Sequence, residues 1–318
     1  MKLGSLELAT PFILAPLESV SDAAFRRLCW SLGAGLTWTE MIRARGLTRN
    51  NRSTIELIDC FEADVPTGVQ LMVVNEGELE EALERIEQLA ATTHPHFRNL
   101  RAVDLNFGCP SPEVIKVGAG PALLKRRNKL RSIFEVLRTW KQRTALPIGA
   151  ITAKIRLGLN RLEMDQKVYL PIVELANELL DGLTVHARHA REESTTSAHW
   201  EALAEVKQRA TVPIIGNGDV VSLQTAQRLI EQTGCDGVMI ARGAIRSPWI
   251  FRELTGQGPG QPALAEVDLA EEEWRRRATS LGSKPKYFEW HAEGFRRMRD
   301  RHAGSATSTA LPPNEHMR

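Results

Sequence analysis

No stretch of this 318-residue sequence approaches the ~18 to 20 uninterrupted apolar residues that a membrane span requires. The opening MKLGSLELATPFILAP reads poorly as a secretory leader, because Glu7, Thr10 and Pro11 break its short apolar stretch. Cysteine is scarce. The four present, Cys29, Cys60, Cys109 and Cys235, are scattered and form no Cys-x-x-Cys pair. That argues against a disulfide framework or a structural zinc site, and it suits a reducing cytoplasm. His186-x-x-His189 lacks acidic companions at ligand spacing, so no metal is expected. Net charge is also nearly absent, at +2, while the 42% hydrophobic and 25% charged content is that of a soluble globular protein.

The small net charge hides an uneven distribution. Lys116 to Arg143 holds nine basic residues against one acid, Glu135, and from Trp274 onward ten basic residues face four acidic ones. Either cluster alone reads as a solvated helix face. Two of them on a near-neutral chain point to a polyanionic partner.

Short apolar runs alternate with amphipathic segments. Strands are expected at Phe12–Ala15, Leu36–Thr39, Gly68–Met72, Ala102–Asn106, Thr152–Ile155, Gly182–Val185, Ile214–Gly216 and Gly237–Ile240. Helical patterns lie at Asp22–Leu32, Glu78–Ala90, Leu130–Arg143, Tyr169–Leu179, His199–Arg209 and Leu223–Gln232, and the connection from Arg43 to Cys60 is less clearly helical. This α/β alternation fits a (β/α)8 TIM barrel over residues 1–256 better than an open doubly wound sheet, although strand order is not visible in a sequence. The linker GQGPGQPA then leads into a small, shortened, basic helical segment at 257–302. The remainder, 303–318, is low in apolar residues and is expected to be disordered.

In a barrel the strand ends share one rim, where active sites lie. PIIGNGDVVS and GVMIARGAIRSP place glycines and small residues after the seventh and eighth strands, where backbone N–H groups commonly hold a phosphate. Ordinary tight turns are the alternative. Lys154, flanked by apolar neighbours in AITAKIRLG, needs an anionic or electron-rich partner at the barrel mouth. Gln70 in PTGVQLMV offers a donor and an acceptor to a flat heterocycle. A flavin mononucleotide meets these requirements, with His186 and Arg188 completing the ring and phosphate contacts.

In AVDLNFGCPSPEV the strand ends at Gly108-Cys109-Pro110. Taken alone, Cys109 is a small buried hydrophobe. Beside a flavin it becomes a proton donor, because hydride addition to an electron-poor double bond needs a proton at the other end of that bond.

These blocks, together with LAPLESVSDAAFRRLCWSLGAGLTWTEM, TVHAR and the loop GAGPALLK, resemble the tRNA-dihydrouridine synthases, and among them the bacterial B-type branch most closely. The resemblance runs from about Leu14 to Leu254. It implies FMN-dependent, NADPH-driven reduction of a uridine in tRNA or another structured RNA to 5,6-dihydrouridine. In that reaction hydride reaches C6 and Cys109 protonates C5. It assigns Pro16, Leu17, Glu18, Gln70, Lys154, His186, Asn217, Gly218, Asp219, Ala241 and Arg242 to the FMN. Asn106, Lys116, Lys125, Arg126, Arg127, Arg156 and Arg188 are expected on the RNA side of a monomeric, cytoplasmic, membrane-free enzyme.

Four features depart from the family pattern. Leu17 replaces a methionine, His189 stands in the run HARHAREEST, Ala241 replaces a glycine, and the C-terminal helical segment is short. Two rival readings are an FMN barrel acting on a free pyrimidine or enoate, and a non-catalytic RNA-binding barrel.

Overall fold

The computed structural model describes residues 1–58 and 61–302. Eight parallel strands follow one another round a single sheet: β1 (Phe12–Leu14), β2 (Thr37–Arg43), β3 (Thr67–Met72), β4 (Leu100–Phe107), β5 (Ala150–Arg156), β6 (Gly182–His186), β7 (Ile214–Asn217) and β8 (Gly237–Ile240). From β2 to β8 each strand pairs with the next, and β8 returns to β1 in the register Val238–Phe12, Met239–Ile13 and Ile240–Leu14. Between β1 and β2 the ring is completed only by an isolated bridge, Ile13–Leu36, where Leu14 N–H donates to Leu36 O at 3.0 Å, so the barrel is nearly closed. The expected (β/α)8 barrel is therefore the observed fold, and the open doubly wound sheet is not.

Every expected strand lies within or beside an observed one, but β2 extends past Thr39 to Arg43. Its register shifts between Trp38 and Met41. A bulge of this kind resets the alternation by which a strand is read from sequence. The same strand explains a glycine: a Cβ on Gly68 would lie 2.1 Å from Trp38 Cζ3. Only hydrogen fits beneath that indole.

The crossovers are helical. We label the longer helices α1 (Ala23–Ser31), α2 (Glu76–Ala91), α3 (Arg127–Arg143), α4 (Leu170–Leu179), α5 (Trp200–Arg209) and α6 (Leu223–Thr233). The connection after β2 forms only short helices, Ala44–Thr48 and Arg52–Ile55. Alternation sorts the strand residues. Val69, Val103, Ile151 and Val185 join the apolar core. Gln70, Asp104 and Thr152 hydrogen-bond to one another across adjacent strands, so they share the opposite, inner face.

Beyond the barrel, α7 (Leu264–Ser280) and α8 (Pro285–His302) pack against each other and against α1. Their small core comprises Ala24, Trp249, Val267, Trp274, Ala278, Tyr287, Phe295 and Met298. Trp274 lies against the rings of His291 at 4.7 Å and Phe288 at 5.3 Å. Two polar ties fix the pair to the loop after β1: Ser283 Oγ donates to Asp22 Oδ2 at 2.9 Å, and His291 Nε2 bonds Val20 O at 3.0 Å. The expectation for 303–318 lies outside the described residues. Among the described residues no helix is long and apolar enough to cross a membrane.

Candidate active site

β4 delivers the cysteine. Asn106, the next-to-last residue of that strand, turns its Oδ1 onto the loop and accepts from Gly108 N–H at 3.1 Å and Cys109 N–H at 2.9 Å. From the other side Arg156 Nε donates to Gly108 O at 2.9 Å, and its Nη1 donates to His189 O at 3.1 Å. The loop carrying the sulfur is thus held by the ends of β4 and β5. Asn106 and Arg156, both expected to meet RNA, act here on the Cys109 loop. Burial pushes the Cys109 thiol up and Glu18 adds to this, while the fields of Arg156 and Lys154 pull it down. The balance favours the protonated thiol.

A buried polar chain runs below the cysteine. Asn106 Nδ2 donates to Gln70 Oε1 at 2.7 Å, Gln70 Nε2 donates to Asp104 Oδ2 at 2.7 Å, and Thr152 Oγ1 donates to Asp104 Oδ1 at 2.6 Å. Burial raises Asp104 to about 6, partly offset by Thr152, Gln70 and Lys154. One N–H of the Gln70 amide is left for a ligand. Lys154 follows Thr152 on the same face of β5. Burial and Arg156 lower its ammonium to about 8, while Asp104 pulls the other way. It makes no hydrogen bond or ion pair with any described residue. A cation carried to the mouth of a barrel and left unpartnered there is suited to an anionic ligand.

The remaining expected cofactor residues lie on the same rim. His186 ends β6, and Arg188 Nη1 lies 3.2 Å from its Nε2. A guanidinium only donates, so the imidazole accepts through Nε2 and carries its proton on Nδ1. Burial and the surrounding arginines and lysine hold His186 neutral. Arg188 itself is 2% exposed. It donates to Thr196 O at 2.8 Å and to Asp219 Oδ1 at 2.5 Å. Its guanidinium, expected on the RNA side, therefore shapes the 194–198 loop. Asp219 also accepts from Arg242 Nη2 at 3.1 Å and Ala198 N–H at 2.7 Å, so its carboxylate braces the same loop.

Gly218 has φ +130°, and a Cβ there would lie 2.9 Å from the Ala198 methyl. Asn217 Nδ2 donates to Met239 O at 2.8 Å, tying β7 to β8. Ala241 precedes the short helix Arg242–Arg246. Pro16, Leu17 and Glu18 form the loop after β1, where Ala15 N–H donates to Ile240 O at 2.9 Å and Leu17 N–H to Ser21 Oγ at 2.7 Å.

Beside Cys109 opens a cleft of about 550 Å³, lined among others by Glu18, Glu40, Arg43, Glu113 and Lys286. Glu40 is legible as a polar strand end at the rim, whereas Arg43, Lys286 and Tyr287 carry no such signal in the sequence. Tyr287 Oη donates to Glu40, which is 3% exposed. No sequence pattern links partners 247 positions apart. Asp104 could have been found, because it stands two residues before Asn106 on one strand face.

The basic segment after Cys109 is largely paired. Arg127 meets Glu174 at 2.8 Å, Arg131 meets Glu178 at 2.8 Å, and Arg138 and Lys141 meet Asp181 at 3.1 and 2.7 Å. These bonds join α3 to α4 and to the start of β6. Lys125 lies 3.5 Å from Glu163. Lys116 and Arg126 are exposed and form no ion pair with a described residue. The charge excess counted along the sequence is therefore mostly neutralised between neighbouring helices, and few of its cations remain for a polyanion. Among the described residues no group of three or more His, Cys, Asp or Glu is placed to hold a metal ion.

A family model described as Dihydrouridine synthase (Dus) matches residues 13–308. "Probable tRNA-dihydrouridine synthase" of Mycobacterium tuberculosis is 31% identical over 332 residues, covering 98% of this chain and 80% of that protein. "tRNA-dihydrouridine synthase B" of Pseudomonas aeruginosa is 34% identical over 274 residues, covering 84% and 77%. Among solved structures, a morphinone reductase mutant in complex with tetrahydroNAD superposes with a TM-score of 0.52 at 15% identity, over 81% of this chain and 90% of that one. The 6-hydroxypseudooxynicotine amine oxidase of Pseudomonas geniculata gives 0.59 at 12% identity, and the chain spans 48% of its length. At these identities the two structures speak for the barrel fold alone.

Proposed function

Because this chain belongs to the dihydrouridine synthase family of oxidoreductases, we propose that it reduces a uridine of tRNA to 5,6-dihydrouridine, with FMN as bound cofactor and NADPH as its reductant. When bound, the flavin supplies the hydride that C6 of the uracil receives. The chain's own groups suit such a cofactor. Lys154 offers an unpartnered cation, Gln70 keeps one free N–H, and Gly218 leaves the backbone after β7 without a side chain. The loops after β7 and β8 pack together, because Gly243 approaches Val220 O too closely for a Cβ.

Cys109 gives its proton to C5. The S–H bond breaks, a C–H bond forms, and the thiolate left behind recovers a proton from water. Burial keeps the sulfur protonated beforehand, and Arg156 and Lys154 ease the negative charge afterwards. Asn106 and Arg156 hold the sulfur in place. A base stacked in RNA reaches this position only when extruded from its helix. The observation that carries the reading is the juxtaposition of Cys109, on the loop held by Asn106 and Arg156, with Lys154, which stands beside Asn106 on the adjacent strand and has no hydrogen-bond or ion-pair partner among the described residues.

The direct test incubates purified protein with FMN, NADPH and unmodified tRNA, then maps dihydrouridine by mass spectrometry. One modified position is expected; RNA left entirely unreduced by flavin-loaded protein overturns the proposal.

Lys154 adds a pH dependence. Its ammonium is charged below about 8 and neutral above. FMN affinity, read by flavin fluorescence, is expected to weaken as pH rises through that value. A bound anion stabilises the charge, so the inflection lies at or above about 8. Lys154→Met is expected to bind FMN weakly and with no such inflection. An unchanged pH profile in the variant removes Lys154 from the site.

A further inference from the structure

Most basic side chains of α7 and α8 are spent within or near that helical pair. Arg275 pairs with Glu271, Arg277 with Glu62, Arg296 and Arg297 with Glu293, and Arg299 with Asp268. Lys286 behaves differently. It reaches out of the first turn of α8 to the wall of the Cys109 cleft, where Nζ donates to Ser19 Oγ at 3.2 Å and lies 3.6 Å from Glu40 Oε2.

The cleft wall carries three carboxylates, Glu18, Glu40 and Glu113, and two cations, Arg43 and Lys286. Glu40 accepts from Tyr287 and ion-pairs with Lys286, whose side chain remains 41% exposed in the cleft, and Glu113 is engaged by Ser111. Arg43 is exposed, makes no ion pair with a described residue, and extends its field to Glu113.

This charge pattern constrains what can lie where. A uracil ring is neutral and can pass three carboxylates at little cost. A phosphodiester is an anion, and carboxylates in a partly enclosed cleft repel it everywhere except beside the two cations. An extruded nucleotide brings a phosphate on each side of its sugar into that mouth. Resting on the uridine-reduction reading above, we infer that Lys286, together with Arg43 on the Glu113 side, is a substrate-positioning residue that holds the phosphates flanking the extruded uridine. The C-terminal pair thereby contributes a side chain to the cleft itself, in addition to any outer RNA contact. The tie from Tyr287 to Glu40 sets where that lysine stands.

The test compares wild type, Lys286→Ala, Lys286→Arg and Arg43→Ala on unmodified tRNA at several salt concentrations. Lys286→Ala is expected to raise KM for tRNA about tenfold with kcat held. Its log–log salt slope for tRNA binding should fall by about one. Lys286→Arg should restore both, because the charge is kept, and Arg43→Ala should resemble Lys286→Ala. Melting temperatures read any damage to the fold. Wild-type KM and slope in Lys286→Ala overturn the inference, as does a defect that arginine fails to rescue. Wild-type protein that binds tRNA without forming dihydrouridine sinks the proposed reaction, while the binding slopes still decide the role of Lys286.

Discussion

Cys109→Ala is expected to lower uridine reduction by about 10²–10⁴-fold, the range over which a positioned general acid acts. The variant should still bind flavin, because no expected cofactor residue depends on the sulfur. Asn106 Oδ1 bonds the backbone N–H of residue 109, which alanine retains. The loop therefore keeps its course and only the proton is lost. Single-turnover measurement separates the two halves of the cycle: reduction of the flavin by NADPH continues, and its reoxidation by tRNA nearly stops. Wild-type reoxidation by RNA would remove Cys109 from the chemistry. The thiol's raised pKa also gives a sign. With FMN kept saturating, so that Lys154 does not limit, wild-type turnover should persist past neutrality and fall on the alkaline side as the sulfur loses its proton, and the alanine variant should lack that limb.

The second large effect concerns Trp274, which is 2% exposed at the centre of the C-terminal pair. Truncating a buried tryptophan costs about 3–5 kcal/mol, from lost burial and the cavity left behind. The cluster it anchors is small, so little else can take up the loss. Trp274→Ala is expected to loosen α7 and α8 while leaving the barrel folded. Tyr287 and Lys286 then no longer hold their places at Glu40 and Ser19. The signature is a low-temperature melting transition ahead of the barrel's own, with RNA reduction impaired far more than flavin binding. A single transition at the wild-type temperature would show that Trp274 does not hold the pair to the rim.

Residues 102–109 show how far linear patterns reach. Alternation in AVDLN and the break at Gly108-Cys109-Pro110 place a cysteine at the end of a strand. Asn106 is expected on the RNA side, whereas its carbonyl oxygen accepts from the N–H groups of Gly108 and Cys109. The charge run from Lys116 to Arg143 fared similarly. Its excess is real along the chain, but the answering acids, Glu174, Glu178 and Asp181, come from the next helix and the turn into β6. Charge counted locally cannot see a partner supplied from another segment.

The barrel, its eight strand positions and the rim shared by Gln70, Cys109, Lys154 and His186 were all legible from periodicity and glycine placement. These properties depend on each residue and its near neighbours, since backbone geometry repeats every two or 3.6 residues. Three arrangements required the folded chain: the clasp of Arg188 on His186 and Asp219, the bulge that carries β2 on to Arg43, and the arrival of Lys286 and Tyr287 beside Glu40. Each of these depends on segments brought together only by barrel closure and helix docking. The position of the cysteine in the chain follows from its own strand, whereas the charges that line the cleft beside it are set by the packing of the last helix on the second strand.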